Sequence, residues 1–182
     1  AELVVEAVGL PSFFSGILFE RVMKNRPGPL TEDVFAAYYE REFASASRPQ
    51  RLFRVLVNDA SRGYIVASDF HPMVEALLVC HPGLAFLQAT PEFQQRYAET
   101  VIERIFYRCA RRCDSKLYLS DLVRGKLLET LMQVDEEEDI NRERKFFSYE
   151  HFYVLYCRFW ELDQDHDLLI NREDLLRYGG HS

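Results

Sequence analysis

Three aspartates at alternate positions near the C-terminus are the residues in this sequence best suited to do chemistry. Asp163, Asp165 and Asp167 lie within five consecutive residues, directly after the aromatic segment FFSYEHFYVLYCRFWEL. The chain has a formal net charge of −7, so its overall charge balance does not offset this crowding. Closely spaced carboxylates repel one another unless bulk water or a bound cation compensates. Alternating oxygen donors of this kind are typical of calcium sites.

The segment DQDHDLLINRED (163–174) fits the twelve-residue loop of an EF-hand. Such a loop takes side-chain oxygens from positions 1, 3 and 5, a backbone carbonyl from position 7, and further ligands from positions 9 and 12. The six predicted metal ligands are Asp163, Asp165, Asp167, Leu169 (through its carbonyl oxygen), Asn171 and Asp174. We predict one Ca²⁺ ion at this loop, and the alternative is a solvated acidic turn without metal.

Two positions of this loop depart from the usual pattern. Leu168 stands at position 6, where glycine is favoured because a β-carbon in the left-handed conformation costs roughly 1 kcal/mol. Asp174 at position 12 is one methylene shorter than the usual glutamate, so it reaches the ion with fewer oxygens. Both features predict weaker calcium binding, and the second makes Mg²⁺ the competing ion.

The same template fits two earlier segments, 58–69 and 110–121. The three loops start at residues 58, 110 and 163, so 52 and then 53 residues separate them. This near-constant spacing indicates an internal repeat. The first two copies lack carboxylates at most ligand positions, and Arg62 stands at position 5 of the first. We therefore predict that these two loops hold no metal and pair with each other through the residues at position 8, Ile65 and Leu117.

The pattern of apolar residues and caps predicts an all-α fold of EF-hand-type helix-loop-helix repeats, with only short β-bridges between loops. Predicted helix caps are Thr31, Ser68, Thr90, Ser120 and Ser148, and Pro49 suits the first turn of a further helix. In the helix entering the acidic loop, the predicted buried residues are Phe152, Leu155, Tyr156 and Phe159. We expect an N-terminal helical segment at 1–48, a degenerate EF-hand-like pair at 49–134, and an acidic linker with the calcium-binding EF-hand at 135–182.

Composition excludes several function classes. The acidic balance (29 Asp and Glu against 22 Lys and Arg) predicts no nucleic-acid partner, and no run is apolar and long enough to predict a membrane span. Phosphate-binding loops, nucleophile elbows and HExxH are missing from the sequence, so we predict that the chain is not an enzyme. Cys109 and Cys113 are four residues apart, but buried reduced thiols are a commoner explanation than zinc.

The sequence resembles the B″ regulatory subunits of protein phosphatase 2A. The resemblance is carried by RYAETVIERIFYRC, DEEEDIN and FFSYEHFYVLYCRFWELDQDHDLLI, is dense over about 58–178, and is thinner earlier, at LPSFFSGILF and HPGLAFL. It implies a helical, non-catalytic, calcium-responsive subunit that docks on the phosphatase scaffold subunit and helps to select phosphoprotein substrates for the catalytic subunit. It also implies a second calcium loop that lies C-terminal to residue 182. Because EF-hands generally work in pairs and the first two loops can pair with each other, we also expect the partner of the third loop to lie beyond residue 182.

The resemblance further implies that a hydrophobic N-terminal segment contributes to scaffold binding. The candidate partner-binding residues are Leu10, Phe13, Phe14, Ile17, Leu18 and Phe19. Ordinary core packing of these side chains is the alternative. We expect a cytoplasmic protein, with the nucleus and cytoskeleton as further locations. The competing function is a stand-alone EF-hand calcium sensor or adaptor unrelated to a phosphatase, although three methionines are few for a sensor groove.

Overall fold

The computed structural model describes residues 7–24, 28–57, 59 and 61–178. The described residues form nine α-helices: α1 (Ser15–Met23), α2 (Glu32–Glu42), α3 (Arg48–Leu56), α4 (His71–Cys80), α5 (Pro91–Cys109), α6 (Leu119–Arg124), α7 (Leu127–Glu136), α8 (Tyr149–Leu162) and α9 (Arg172–Tyr178). The described residues also form four short 3₁₀ helices: Ser12–Phe14, Ala67–Phe70, Pro82–Ala89 and Ile140–Arg142. Within the described ranges there is no β-strand, and the prediction of an all-α fold is confirmed.

Most predicted helix starts are present. Thr31 and Thr90 directly precede α2 and α5, and the Ser148 hydroxyl accepts a hydrogen bond from the His151 N–H at the start of α8, at 3.3 Å. Pro49 lies in the first turn of α3 as predicted. The Ser148 hydroxyl satisfies a backbone donor that a helix start otherwise leaves unpaired, whereas the Thr31 and Thr90 side chains make no capping hydrogen bond.

The predicted caps Ser68 and Ser120 are wrong. The chain enters α4 through the 3₁₀ helix Ala67–Phe70, and α6 begins one residue before Ser120. In both places an aspartate makes the capping hydrogen bond: Asp69 accepts from the Val66 N–H at 2.9 Å, and Asp121 from the Tyr118 N–H at 3.0 Å. In both helices, an aspartate carboxylate at the third helical position therefore makes the capping hydrogen bond that we predicted for a serine hydroxyl.

The centre of the fold is the pairing of the first two loops. Ile65 and Leu117 form an antiparallel β-bridge, in which each N–H donates to the other's carbonyl oxygen at 2.8 and 2.9 Å. Both side chains are fully buried. The structure thus has the predicted contact between the two loops at position 8.

The long helix α5 supplies much of the core. Apolar residues at every fourth position, from Phe93 to Cys109, predict a buried stripe along this helix. Tyr97, Val101, Ile105 and Cys109 are buried, whereas Phe93 is partly buried. The Tyr97 hydroxyl donates to the Phe147 carbonyl oxygen at 2.5 Å, which ties α5 to the turn before α8. Because a buried hydroxyl needs a partner, this bond fixes the position of α8.

The entering helix α8 is less buried than predicted. Phe152 is fully buried, Tyr156 and Phe159 are partly buried, and Leu155 is 51% exposed, so the prediction for Leu155 is wrong. Phe152 and Tyr156 pack on Phe93 of α5, with ring centroids 6.4 and 5.1 Å apart. Leu155 instead lines an open cavity of about 400 Å³ between α5 and α8.

The hydrophobic N-terminal segment packs mainly into the core. Leu10, Phe13, Phe14 and Leu18 are buried, Ile17 is partly buried, and Phe19 is 49% exposed. Four of the six candidate partner-binding side chains are therefore covered by this chain itself. Only Phe19 and part of Ile17 offer surface to another protein in this conformation.

Specific contacts hold the segment between α4 and α5 and the acidic end of α7. Leu84 and Leu87 of the 3₁₀ helix Pro82–Ala89 are buried in the core. Near the end of α7, the Asp135 carboxylate accepts hydrogen bonds from the N–H and hydroxyl of Ser12, at 2.8 and 2.5 Å. Across the described residues no single helix is long and apolar enough to cross a membrane. Ala67–Cys80 and Pro82–Ala89 are long and apolar enough only when taken together, and the chain bends by 96° between them.

Candidate metal centre

The third loop is organised around the buried carboxylate of Asp163. This residue ends α8, where its N–H donates to the Phe159 carbonyl oxygen at 2.9 Å, and its side chain is fully buried. The carboxylate accepts hydrogen bonds from the Asp167 N–H at 3.2 Å and from the Leu168 N–H at 2.9 Å. These bonds curl the loop around position 1, so that the side chains at positions 3 and 5 turn towards it.

The three alternating aspartates meet at one place. One carboxylate oxygen from each of Asp163, Asp165 and Asp167 lies within 4.8 Å of the other two. Two oxygens that each bind Ca²⁺ at about 2.4 Å are at most about 4.8 Å apart. The arrangement therefore fits a single calcium ion, and its hard oxygen donors suit calcium or magnesium better than a thiophilic metal.

The remaining predicted ligands lie at the start of the exiting helix. The Asn171 side-chain oxygen accepts from the N–H groups of Glu173 and Asp174 at 2.7 and 3.1 Å, so it caps α9. Asp174 is 3% exposed and accepts from the Asn171 N–H at 3.0 Å. Leu169 is exposed, which leaves its backbone as the part suited to metal binding. Asp174 does not belong to the cluster formed by the carboxylates of Asp163, Asp165 and Asp167.

All three loops share one hydrogen bond. The N–H at position 9 donates to the aspartate at position 12, and the three acceptors are Asp69, Asp121 and Asp174, at 2.9, 3.0 and 3.0 Å. Each of these aspartates is at most 5% exposed. The repeat predicted from spacing is thus present as a repeated local geometry, including in loops that lack the other metal ligands.

In each of the first two repeats an arginine pairs with the aspartate at loop position 12, Arg62 from within its loop and Arg124 from the helix that follows. The Arg62 guanidinium at position 5 lies 2.8 Å from an Asp69 oxygen, and the Arg124 guanidinium lies 3.1 Å from an Asp121 oxygen. Arg124 also donates to the Cys109 carbonyl oxygen. Sequence reasoning predicted that Arg62 would repel a metal ion but missed that it binds the position-12 carboxylate. The sequence signal that could have predicted this pairing is an arginine within a loop, or just after it, when position 12 is aspartate.

Trp160 links the entering helix to the third loop. Its ring stacks on His166, with centroids 4.0 Å apart and planes 14° from parallel. His166 stands at loop position 4, between two of the clustered aspartates. Because Trp160 is the single tryptophan of the chain, its fluorescence reports directly on this loop.

Leu168 at position 6 has the left-handed backbone conformation that the sequence predicts, with φ of 67°. Replacing Leu168 with Gly should raise the free energy of unfolding by about 0.5–1 kcal/mol, because glycine removes the β-carbon strain at a cost in chain entropy. For a chain of this size the melting temperature should rise by about 1–4 °C. Thermal denaturation followed by circular dichroism measures this change.

The matched control is Leu169→Gly, since Leu169 is also exposed and does not have positive φ. That substitution should lower the melting temperature, because it adds unfolded-state entropy without relieving strain. Equal shifts in the two variants would mean that strain at position 6 is not the cause.

Comparison with known proteins identifies the family. A profile described as an EF-hand domain matches residues 47–137, which is half of the chain and contains the two arginine-paired loops. The chain belongs to the EF-hand family. Within the described part of the chain, the aspartate cluster of the third loop is the one group of three or more histidine, cysteine or acidic side chains close enough together to hold a metal ion, and it includes neither Cys109 nor Cys113.

Relatives over nearly the whole chain are B″ regulatory subunits, which confirms the resemblance seen in the sequence. A probable B″delta regulatory subunit of phosphatase 2A from Arabidopsis thaliana is 45% identical over 99% of this chain and 34% of its own length. The beta form of the B″ regulatory subunit in Homo sapiens is 39% identical over 99% of this chain and 31% of its own. The chain spans about a third of the length of these relatives.

A solved structure is also similar to this EF-hand protein. A chain of a PP2A PR70 holoenzyme superposes with a TM-score of 0.70 and is 42% identical. The match covers 74% of this chain and 50% of that chain. The fold described above is therefore shared with a component of that assembly.

Proposed function

We propose that this chain is the EF-hand region of a non-catalytic B″ regulatory subunit that docks on the scaffold subunit of protein phosphatase 2A and directs the catalytic subunit to phosphoprotein substrates. The similarity to B″ subunits over 99% of the chain carries this proposal. The resemblance of the fold to a chain of a PP2A holoenzyme supports it.

The second part of the proposal is one Ca²⁺ site at 163–174. Asp163, Asp165 and Asp167 would hold the ion, together with the Leu169 carbonyl oxygen and the side chains of Asn171 and Asp174 at the start of α9. Bound calcium supplies positive charge that compensates the three clustered carboxylates. The loop connects α8 directly to α9, so closing it fixes the angle between these helices. Mg²⁺ is the expected competitor.

A pull-down with purified phosphatase 2A scaffold subunit tests this function. The full chain is immobilised and incubated with the scaffold in calcium or in chelator, and Asp163→Ala is run alongside. We expect retention of the scaffold in calcium and weaker retention in chelator or with the variant, because loss of the ion frees the angle between α8 and α9. Retention that is equal in all lanes would contradict a role for the loop in docking. If the chain retains no scaffold subunit under any condition, that result would contradict docking by residues 1–182.

Position 12 offers a further prediction. Asp174→Glu should tighten calcium binding by about tenfold, because the longer side chain can bring a second oxygen to the ion. Magnesium affinity should change less, since Mg²⁺ favours six ligands in near-octahedral geometry. Isothermal titration with each ion measures the two affinities. Glu173→Asp, the reverse change at the adjacent exposed residue, is the matched control and should alter neither.

A further inference from the structure

A cavity rich in positive charge lies away from the metal centre, between α1, α2, α3 and the first loop. It has a volume of about 300 Å³. We call it the basic pocket, and its defining residues are Arg21, Lys24, Tyr38, Phe53, Arg54 and Arg62. Four cations around one cavity are notable in a chain with a formal net charge of −7.

The negative charges near the pocket are already compensated. Glu42 lines it, but its carboxylate pairs with Arg41 at 2.7 Å. Arg62 pairs with Asp69 at 2.8 Å and lies 3.8 Å from Asp59, so it adds little net charge. The excess positive charge must come from the other three cations.

Arg21, Lys24 and Arg54 supply that excess. Among the described residues, none of the three takes part in an ion pair. Arg54 donates to the Glu42 carbonyl oxygen, which uses one of its five N–H donors and leaves its charge unpaired. Arg21 is half-buried and Lys24 is exposed, so the pocket is both positively charged and open to an incoming group.

The walls of the pocket favour an anion attached to an organic group. Tyr38 and Phe53 contribute aromatic surface and are each half-buried. Burial raises the pKa of Tyr38 above its ordinary value, and the nearby Glu42 adds to this. The phenol is therefore neutral at physiological pH and can donate a hydrogen bond, which gives the pocket an uncharged donor beside its three cations.

We propose that the basic pocket binds the phosphate of a phosphorylated side chain on a peptide segment of another protein. A phosphate dianion matches the excess positive charge better than a carboxylate does, because it carries about twice the charge and three strong acceptor oxygens. Arginine's planar fork of donors suits it. The proposal concerns binding alone and does not depend on the phosphatase assembly proposed above.

Charge distribution favours a peptide over a membrane lipid as the source of this phosphate. Membrane recognition uses broad clusters of about four to eight basic residues facing an anionic surface. This pocket is concave, and the chain as a whole is acidic, so an extended anionic surface would be repelled. A single phosphorylated side chain needs only the local field of the cavity.

Fluorescence anisotropy on the full 182-residue chain tests the proposal. The probes are three labelled degenerate peptide pools that differ only at one central position. The first pool has phosphoserine, phosphothreonine or phosphotyrosine there, and the second has the same residues without phosphate. The third pool has glutamate at that position. We expect the phosphorylated pool to bind at least about tenfold tighter than either other pool. Excess inorganic phosphate should compete with it.

The decisive variant is Arg21→Gln with Lys24→Gln. Its matched control is Arg142→Gln with Arg158→Gln, which removes the same charge from two side chains that are each 70% exposed elsewhere. The pocket variant should lose at least about tenfold in affinity for the phosphorylated pool, and the control should lose little. Equal losses would show a response to overall charge and overturn the proposal. Binding only to phosphoinositide vesicles, or equal binding of the glutamate pool, would overturn it as well.

A measurement on the unmodified chain guards against misfolding of the variant. Inorganic phosphate is titrated into isotope-labelled protein, and the side-chain N–H resonances of arginine are followed by nuclear magnetic resonance. The resonances of Arg21 and Arg54 should shift with saturation, while that of Arg158 should not. If no arginine of the pocket responds, the pocket does not bind phosphate.

Discussion

Replacing Asp163 with alanine should weaken calcium binding by at least about 100-fold, equivalent to about 2.7 kcal/mol. The substitution removes the ligand at loop position 1, which is also the fully buried centre of the loop. The Asp167 and Leu168 N–H groups lose their acceptor at the same time, so the backbone that aims Asp165 and Asp167 is no longer held. Ligand loss and loss of preorganisation therefore act in the same direction.

Isothermal titration with calcium measures this affinity, and Trp160 fluorescence gives an independent signal because its ring stacks on the loop. Asp163→Asn separates the two causes, since the amide keeps an oxygen acceptor of similar shape but lacks the charge. Glu161→Gln, an equal change of charge on an exposed side chain just outside the loop, is the control. Unchanged affinity in Asp163→Ala would show that calcium binds elsewhere or not at all.

Removing Arg62 should have the largest effect on stability. Asp69 has a side chain that is 2% exposed, and its partner Arg62 is 21% exposed. Deleting one member of a buried ion pair is strongly destabilising because the other charge stays behind in a poorly solvated place. Since Arg62 is partly exposed, we expect Arg62→Ala to cost about 2–3 kcal/mol. The melting temperature should fall by about 4–12 °C.

Two comparisons make this prediction specific. Arg158→Ala removes an arginine from an exposed pair with Glu161, so it should cost at most about 1 kcal/mol. Arg62→Ala combined with Asp69→Asn should be less destabilised than Arg62→Ala alone, because the remaining charge is also gone. The loss should be the same in calcium and in chelator, as the first loop carries arginine at a ligand position. A loss no greater than that of Arg158→Ala would mean that the pair contributes little.

Local signals in the sequence were sufficient for much of the fold. The Ser148 cap and the stripe along α5 follow from spacing and residue type, because each depends on neighbours within one repeat. The pairing of Ile65 with Leu117 joins two repeats, and it follows from their equivalent position in the two loops. The left-handed conformation of Leu168 follows in the same way from its position in the loop. Asp69 and Asp121 were placed correctly as position-12 residues. Their capping role was missed because the cap was sought in a serine preceding the helix and not in a carboxylate at the third helical position.

Properties that depend on packing between distant segments were not predictable. Periodicity placed Leu155 on the buried face of α8, but burial there requires a neighbour, and α5 leaves a cavity open beside it. The contact of Asp135 with Ser12 joins residues that are 123 positions apart in the sequence. For the N-terminal segment the sequence supported both core packing and partner binding, and only the structure shows that Phe14 is buried and Phe19 is half-exposed. The metal-site ligands and the docking role remain predictions.

The β-bridge between Ile65 and Leu117 has a consequence for the shape of the calcium response. Cooperative calcium binding requires two sites, such that an ion bound at one site raises the affinity of the other. Here the bridge joins two loops whose position-12 carboxylates are already bound by arginine, while the clustered aspartates lie in a third loop outside it. Calcium binding by this chain should follow a simple hyperbola, with a Hill coefficient of about one. The chain would then respond to calcium in a graded way, over a wide range of concentration, rather than as a threshold detector.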